Sequence, residues 1–431
     1  MSHETVEDRA AEPVLPRLSA HRSFMLLWAG QTVSMLGSNV STVVIPLVAV
    51  VTLNASGFQV GMLNFVQTLP FLILSLFTGV LVDRVRRRPL LIAADLGRTV
   101  AVGAIPLLAF ASVLSMGSLY LCVLAAGTLT VIFDLAYFAY TPVLLPEELL
   151  LAGNSRLELS NQVTGLLGPG LAGAAITIIR IPFVVALDAI SYLVSAVSLL
   201  MIRAPEPRPG PSDKPHPRQV FREIGQGLHA LFGNRYLRPV VLNATAYNLC
   251  AQMILTLFVL YATKYRHLAP GWIGLIFAVG ALGGVAGSGV IRKVVDRFRF
   301  GPTFMTTMII VRVALPLVAL VGGPEPLLVG GFAAIWFATL FGLVASNACV
   351  ITLRQVAVPN ELRGRMNAAY RALSFGAIPV GALLAGVLSS AIGVHQTIAV
   401  AAILLPLSIL FVIFSPVPWM KKATDAAPRT G

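Results

Sequence analysis

Long apolar runs constrain this chain more than any other feature. Twelve stretches of about 20 residues or more carry almost no charge: 24–52, 58–82, 89–113, 117–143, 161–180, 182–203, 238–262, 271–291, 303–321, 327–351, 368–392 and 396–418. A helix rising 1.5 Å per residue needs roughly 20 apolar residues to cross the hydrocarbon core of a bilayer. Backbone polar groups in lipid find no water, so each run must close its hydrogen bonds within itself. The expectation is an all-α membrane protein of twelve transmembrane helices. The run 161–180 is the weakest, because it carries four glycines and a proline. Only 11% of the 431 residues are charged, against about 25% in a soluble domain.

The basic residues give an orientation. With the N-terminus inside, 26 of the 31 lysines and arginines fall in inside segments, and Arg180, Lys264 and Arg266 fall outside. Arg98 and Arg312 remain within runs. Such a bias predicts cytoplasmic termini. It also accounts for a net charge of +13 through anionic inner-leaflet lipid, with no nucleic acid as partner. Arginine outnumbers lysine 26 to 5, which with abundant alanine points to a GC-rich bacterial genome and a multi-pass protein of the plasma (inner) membrane. Residues 1–23, with Glu4, Glu7, Asp8 and Glu12, lack the apolar core of a signal peptide and read as a cytoplasmic tail. A six-helix bundle is expected over 24–203 and another over 238–418. The linker 204–237 between them is Pro-rich and then amphipathic, with Phe221, Ile224, Leu228, Leu231 and Phe232 at helical spacing along the inner membrane surface. Residues 419–431 form the C-terminal tail.

The two bundles are related in sequence. At an offset of 213, Asp83-Arg84 recurs as Asp296-Arg297, Pro89 as Pro302, Pro146 as Pro359, Glu148 as Glu361 and Leu171-Ala172-Gly173 as Leu384-Ala385-Gly386. Two halves of six spans in the same orientation imply a parallel repeat about an axis along the membrane normal, an architecture suited to rocking about a central site.

Between the second and third runs stands Gly79-Val80-Leu81-Val82-Asp83-Arg84-Val85, then Arg86, Arg87 and Arg88. A carboxylate at a helix end caps a neighbouring helix N-terminus, and arginines hold carboxylates. Gly79, Asp83, Arg84, Arg87 and Arg88, with Asp296 and Arg297 in the other half, are therefore a candidate conformational latch; the bland alternative is that the arginines only set topology. In the fifth run, Gly165, Gly168, Pro169 and Gly173 would allow close helix approach and a bend, which tight packing alone would also explain.

These stretches resemble the major facilitator superfamily: the Gly79–Arg88 loop its inter-helix motif, with Arg86 where the family places a glycine, and the Gly165–Gly173 stretch the glycine-proline motif of its antiporters, with Ala172 in place of one glycine. Phe24 to Gln31, Asp188 to Tyr192, the 220–236 segment and Val358 to Arg365 resemble the branch containing enterobactin-type siderophore exporters and macrolide efflux pumps. The resemblance covers nearly the whole chain and implies the twelve-helix major facilitator fold, with export favoured over uptake.

Charges inside spans are costly and default to functional candidates. Asp95, Asp134 and Asp188 lie in the N-terminal half and Arg312 in the C-terminal half. Asp95 and Arg98 share a helix face. Arg98 and Asp134 each lie about 14 Å from the inner end of their span and could pair across adjacent helices, either as a fixed structural pair or as a proton-responsive one. Cavity candidates are Gln31, Ser34, Asn39 and Tyr137 in the first half and Asn243, Tyr247, Asn248, Gln252, Arg312 and Asn347 in the second. As a set they suit an amphipathic organic molecule, although helix–helix hydrogen bonding would explain each singly.

No phosphate loop of the GxxxxGK[ST] type occurs. The six histidines and three cysteines form neither a metal spacing nor a disulfide framework, so neither cofactor nor metal is expected. The reading is a monomeric, non-enzymatic secondary transporter that exports a small amphipathic drug, antibiotic or siderophore by proton antiport. The rivals are an uptake symporter or lipid translocator on the same fold and, more remotely, a membrane receptor or scaffold.

Overall fold

The computed structural model describes residues 18–74, 86–203, 206 and 217–427. Among them there are helices and no strand. The N-half contains α1 (Arg22–Leu47), α2 (Gly57–Leu74), α3 (Arg87–Phe110), α4 (Met116–Leu144), α5 (Glu147–Ile178) and α6 (Ile181–Met201). A connecting helix α7 (Pro217–Gly233) precedes the C-half: α8 (Leu237–Leu260), α9 (Pro270–Phe298), α10 (Phe300–Ala314), α11 (Glu325–Val356), α12 (Asn360–Ile392) and α13 (Val394–Leu407). Ten of the described helices are long and apolar enough to cross a membrane. The remaining two of the twelve are α2, a shorter apolar helix over its described residues, and α5, diluted by the glycines and proline of its C-terminal half.

The repeat is written into the helix starts. Gly57 and Pro270, Arg87 and Phe300, Glu147 and Asn360, Ile181 and Val394 open equivalent helices, each pair 213 positions apart. The first helix of each half ends in a π turn, Val48–Thr52 and Tyr261–Tyr265, followed by a left-handed residue, Asn54 and His267, each at φ 55°. These also stand 213 apart. No apolar periodicity announces them.

Both halves pack alike. α1 lies against α5 and α6, α6 against α3, α3 against α4 and α4 against α2; α8, α12, α13, α10, α11 and α9 repeat this pattern, with the 3-10 turn Leu315–Ala319 extending α10 onto α13. The halves meet through α2 on α12 and α5 on α9. Polarity is turned inward. On α3, Asp95 and Arg98 are buried while Val100, Leu107 and Phe110 lie 70–80% exposed on the lipid-facing side.

Several helices run past their apolar runs. α5 begins at Glu147 and α12 at Asn360, well before 161 and 368. The extra turns are too polar for lipid but are tied down by side chains: the Trp28 indole donates to Ser160 Oγ at 2.8 Å, and the Arg156 guanidinium lies 4.1 Å from the centre of the Trp28 ring. α7 packs on α12, with Leu231 fully buried in the cluster that also holds Met366 and Tyr370. The side chains of Phe221 and Ile224 lie outside the described set.

Candidate functional site

Two neighbouring chambers of about 470 and 480 Å³, the first between the halves and the second within the C-half, are both bordered by Arg371, Phe375 and Ile378 of α12. Their chemistry differs. The first is walled mainly by the N-half and carries the acids Asp134 on α4 and Asp188 on α6. The second is walled by the C-half and carries Arg312 on α10 and Arg354 on α11.

Behind the first chamber Arg98 is held by a carboxylate and two aromatic rings, while its Nε is buried without a partner. Its guanidinium pairs with Asp95 on the same helix face. Its faces are covered by Phe133 of α4 and Tyr192 of α6, at 4.1 and 4.3 Å from their ring centres. The i to i+3 spacing on α3 supplies the partner that the depth argument gave to Asp134. Asp134 instead faces the chamber, where the charges of Arg98 and Arg371 reach it. Asp188 is buried beside α1: Ser38 Oγ donates to Oδ1 at 3.3 Å and Ser191 Oγ at 3.4 Å. Ser38 also bonds the Tyr192 hydroxyl at 2.8 Å, so Asp188 belongs to the α1–α6 contact as much as to the chamber wall.

In the C-half the structure gathers every candidate the sequence offered. Asn243, Tyr247, Asn248, Gln252, Arg312 and Asn347 line one chamber. Arg312 Nη2 donates to Asn243 Oδ1 at 2.7 Å, and its guanidinium lies 4.9 Å from the Tyr247 ring centre. Asn248 Nδ2 donates to the Ser374 carbonyl at 2.7 Å, and Gln252 Nε2 to Thr256 Oγ1 at 3.1 Å. The N-half set behaves differently. Gln31 Nε2 reaches Ser195 Oγ at 3.5 Å, Ser34 is buried in α1, Asn39 Nδ2 bonds the Met35 carbonyl, and Tyr137 stacks on Phe133 at 6.0 Å. These four stand in helix contacts rather than on either chamber wall. Arg354 and Arg371, by contrast, read as topology charges in sequence and prove to be chamber residues. Only their distance into the helices α11 and α12, which outrun their apolar spans, could have signalled it.

The glycine-proline stretch forms part of the seam between halves. A Cβ on Gly173 would stand 2.9 Å from Gly274 Cα of α9, and one on Gly274 would stand 3.0 Å from the Pro169 carbonyl oxygen. Gly168 meets Asn39 of α1, and Gly165 meets nothing within 4 Å. The symmetry-related seam repeats the device: a Cβ on Gly61 of α2 would stand 2.6 Å from the Gly386 nitrogen of α12. Both crossings lie toward the end away from the arginine-rich loops, where Lys264 Nζ also donates to the Ala55 carbonyl across the halves at 3.1 Å. That end is closed.

At the arginine-rich end, Gly79, Asp83 and Arg84 lie outside the described residues. Arg87 and Arg88 take part in a clamp the sequence did not reveal. Their backbone N–H groups, at the start of α3, donate to the Glu206 carboxylate at 2.6 and 3.2 Å. In return the Arg88 guanidinium donates to the carbonyls of Leu199 and Leu200 at the end of α6, at 2.9 and 2.8 Å. An acid thus caps one helix start and a cation one helix end, each suited to the local dipole. In the other half Asp296 and Arg297 are exposed, and Arg299 adopts φ 69°. Arg299 is the repeat partner of Arg86, where the family pattern has glycine; the left-handed backbone explains why a glycine suits that position.

Two six-helix bundles, related by a parallel repeat and carrying charged chambers in their interior, have the architecture of a membrane transporter. The chain belongs to the Major Facilitator Superfamily, whose pattern it matches over residues 27–380. It is similar to the multidrug efflux pump Tap of Mycolicibacterium fortuitum, 27% identical over 407 residues that cover 92% of this chain and 96% of that protein. It is also similar to the macrolide efflux protein A of Streptococcus pyogenes, 23% identical over 379 residues, 86% of this chain and 91% of that one. Among solved structures, a bacterial homologue of the iron transporter ferroportin shares the fold. Its inward-facing state gives a TM-score of 0.72 at 17% identity over 92% of this chain and 99% of that one. Its outward-facing state gives 0.57 at 17% identity over 91% and 98%.

Proposed function

We propose that this chain is a proton-coupled exporter of small amphipathic organic compounds, a drug, antibiotic or siderophore. It would act as a monomer in the bacterial inner membrane with both termini in the cytoplasm. The similarity to two named efflux proteins along most of their length supports export. The observation that carries the coupling reading is the placement of Asp134. Arg98 already has its carboxylate in Asp95, so Asp134 is left on the chamber wall, where water reaching it from either side would exchange its proton. The closed end with its glycine seams corresponds to the outer side, so the chambers communicate with the cytoplasm in this state. Asp83 and the neighbouring arginines act as a latch whose interactions differ between states.

The test uses purified protein in proteoliposomes with an imposed pH gradient and a panel of macrolides and fluorescent amphiphiles. Asp134→Asn removes gradient-driven movement while compound binding stays measurable. Full proton-driven transport by Asp134→Asn would refute the coupling role, and gradient-driven uptake in place of export would favour the symporter reading.

A further inference from the structure

The geometry points to the C-half chamber as a subsite for an oxyanion, a carboxylate or phosphate, carried on an apolar organic body. This rests on the export reading only in taking the chamber as a place where substrate sits.

Three arginines from three helices, Arg312, Arg354 and Arg371, border this chamber. Residues 238–418 contain three acids, Asp296, Glu325 and Glu361, and each lies at a helix end. No carboxylate of the C-half spans is therefore at hand to neutralise a guanidinium at mid-depth. The first chamber has Asp134 and Asp188; the second has none.

Two of the three, Arg312 and Arg354, are also incompletely satisfied. Arg312 is 5% exposed; it bonds the Asn243 side chain and the Met308 carbonyl, both neutral, and its Nε has no partner. The Nε of Arg354 is buried without a partner as well. Tyr247 covers a face of the first guanidinium at 4.9 Å and Tyr370 a face of the second at 4.2 Å. Ring stacking compensates the faces of the cations and leaves N–H donors at their edges. A buried cation held only by neutral acceptors is costly, and the cost falls when an anion arrives. The planar fork of guanidinium donors matches the two oxygens of a carboxylate or phosphate, which a neutral or cationic ligand would lack. Phe375 and Ile378, shared with the first chamber, offer an apolar surface to the rest of the ligand.

The experiment is equilibrium binding by calorimetry on the purified full chain in uncharged detergent, with four probes on one scaffold: 2-naphthoate, 2-naphthyl phosphate, 2-naphthamide and 2-naphthylmethylammonium. At least one anion binds tenfold or more tighter than the amide and the ammonium. Arg312→Gln and Arg354→Gln each erase that preference while leaving binding of the amide within about twofold. Arg354 is the less buried of the two, so its variant keeps the test open if Arg312→Gln is poorly folded. Anions binding no tighter than the amide, including no binding by any probe, would overturn the assignment, as would a preference that survives both substitutions. Repeating the measurement in phosphatidylcholine nanodiscs with and without phosphatidylglycerol identifies the source. Suppression by phosphatidylglycerol makes the oxyanion a lipid headgroup, and indifference makes it a free organic acid; both keep the subsite. Because the readout is binding, loss of anion preference leaves the export reading standing, and failure of gradient-driven efflux leaves the subsite standing.

Discussion

Adding one methyl group at Gly274 tests whether the glycine seams hold the outer end shut. The Cβ of Gly274→Ala would stand 2.6 Å from the Gly173 nitrogen and 3.0 Å from the Pro169 carbonyl oxygen. Comfortable heavy-atom separations are about 3.5 Å or more, so α5 and α9 must part by roughly 1 Å. Both obstructing atoms are backbone, and no rotamer change relieves them. Overpacking of this kind costs about 1–3 kcal/mol. In a soluble core that cost would be a loss of folding stability. At a seam that opens during transport, it falls on the closed state alone and shifts the equilibrium about 5- to 150-fold toward the outward-open state. The assay uses Thr42→Cys, whose side chain lines the first chamber, in a background lacking Cys122, Cys250 and Cys349. An impermeant thiol reagent applied to intact cells then labels Cys at 42 faster when Gly274→Ala is present. Gly165→Ala is the control, because a Cβ there meets nothing within 4 Å. Unchanged labelling at normal abundance, or the same acceleration from Gly165→Ala, would refute the reasoning.

Three further outcomes are expected. Asp95→Asn strands the buried Arg98 charge, costs about 3–5 kcal/mol, and shows as lower yield and melting temperature in detergent; an unchanged melting temperature would mean Asp134 takes over as partner. Glu206→Ala removes the acceptor for two backbone N–H groups at the start of α3 and lowers thermal stability by about 1–2 kcal/mol, measured in the same melts, with no change in which side of the membrane the linker occupies. Cysteines introduced at Ser212 and Thr424 resist impermeant thiol reagents in intact cells while one at Ala269 reacts, and the reverse pattern would invert the topology.

Much of the architecture was legible because lipid leaves a sequence few options. Apolar run length locates helices, and a single register of 213 residues links the halves; four pairs of helix starts keep that register. Helix ends were less legible. The polar turns of α5 before residue 161 are held by Trp28 and Arg156, contacts that depend on which helix lies alongside. The same limit applies to the site. In the C-half the polar side chains of α8 cluster with Arg312, and their presence inside an apolar run was enough to suggest a cavity wall. In the N-half Gln31 and Asn39 have the same residue types yet face neighbouring helices, Gln31 meeting Ser195 of α6 and Asn39 packing on Gly168 of α5, because α1 is closely packed on both. The partner of Arg98 was a choice between a carboxylate one turn away and one across a helix gap, which rotamers decide. Glu206 gave no local signal, since it bonds residues more than a hundred positions away.

The clamp at Glu206 and the docking of α7 on α12 together act as a leash. Glu206 is anchored to the first bundle through the start of α3, and Pro217 opens a helix that rides on the second bundle, where the Arg365 guanidinium donates to Gln226 at 2.6 Å. The chain between them has eleven peptide steps and, fully drawn out, spans at most about 40 Å. In the proposed movement of the bundles, its length would set a ceiling on how far they separate on the linker side for as long as the Glu206 clamp holds. Deletions between residues 207 and 216 would therefore shorten the stroke before they touch the fold of either bundle.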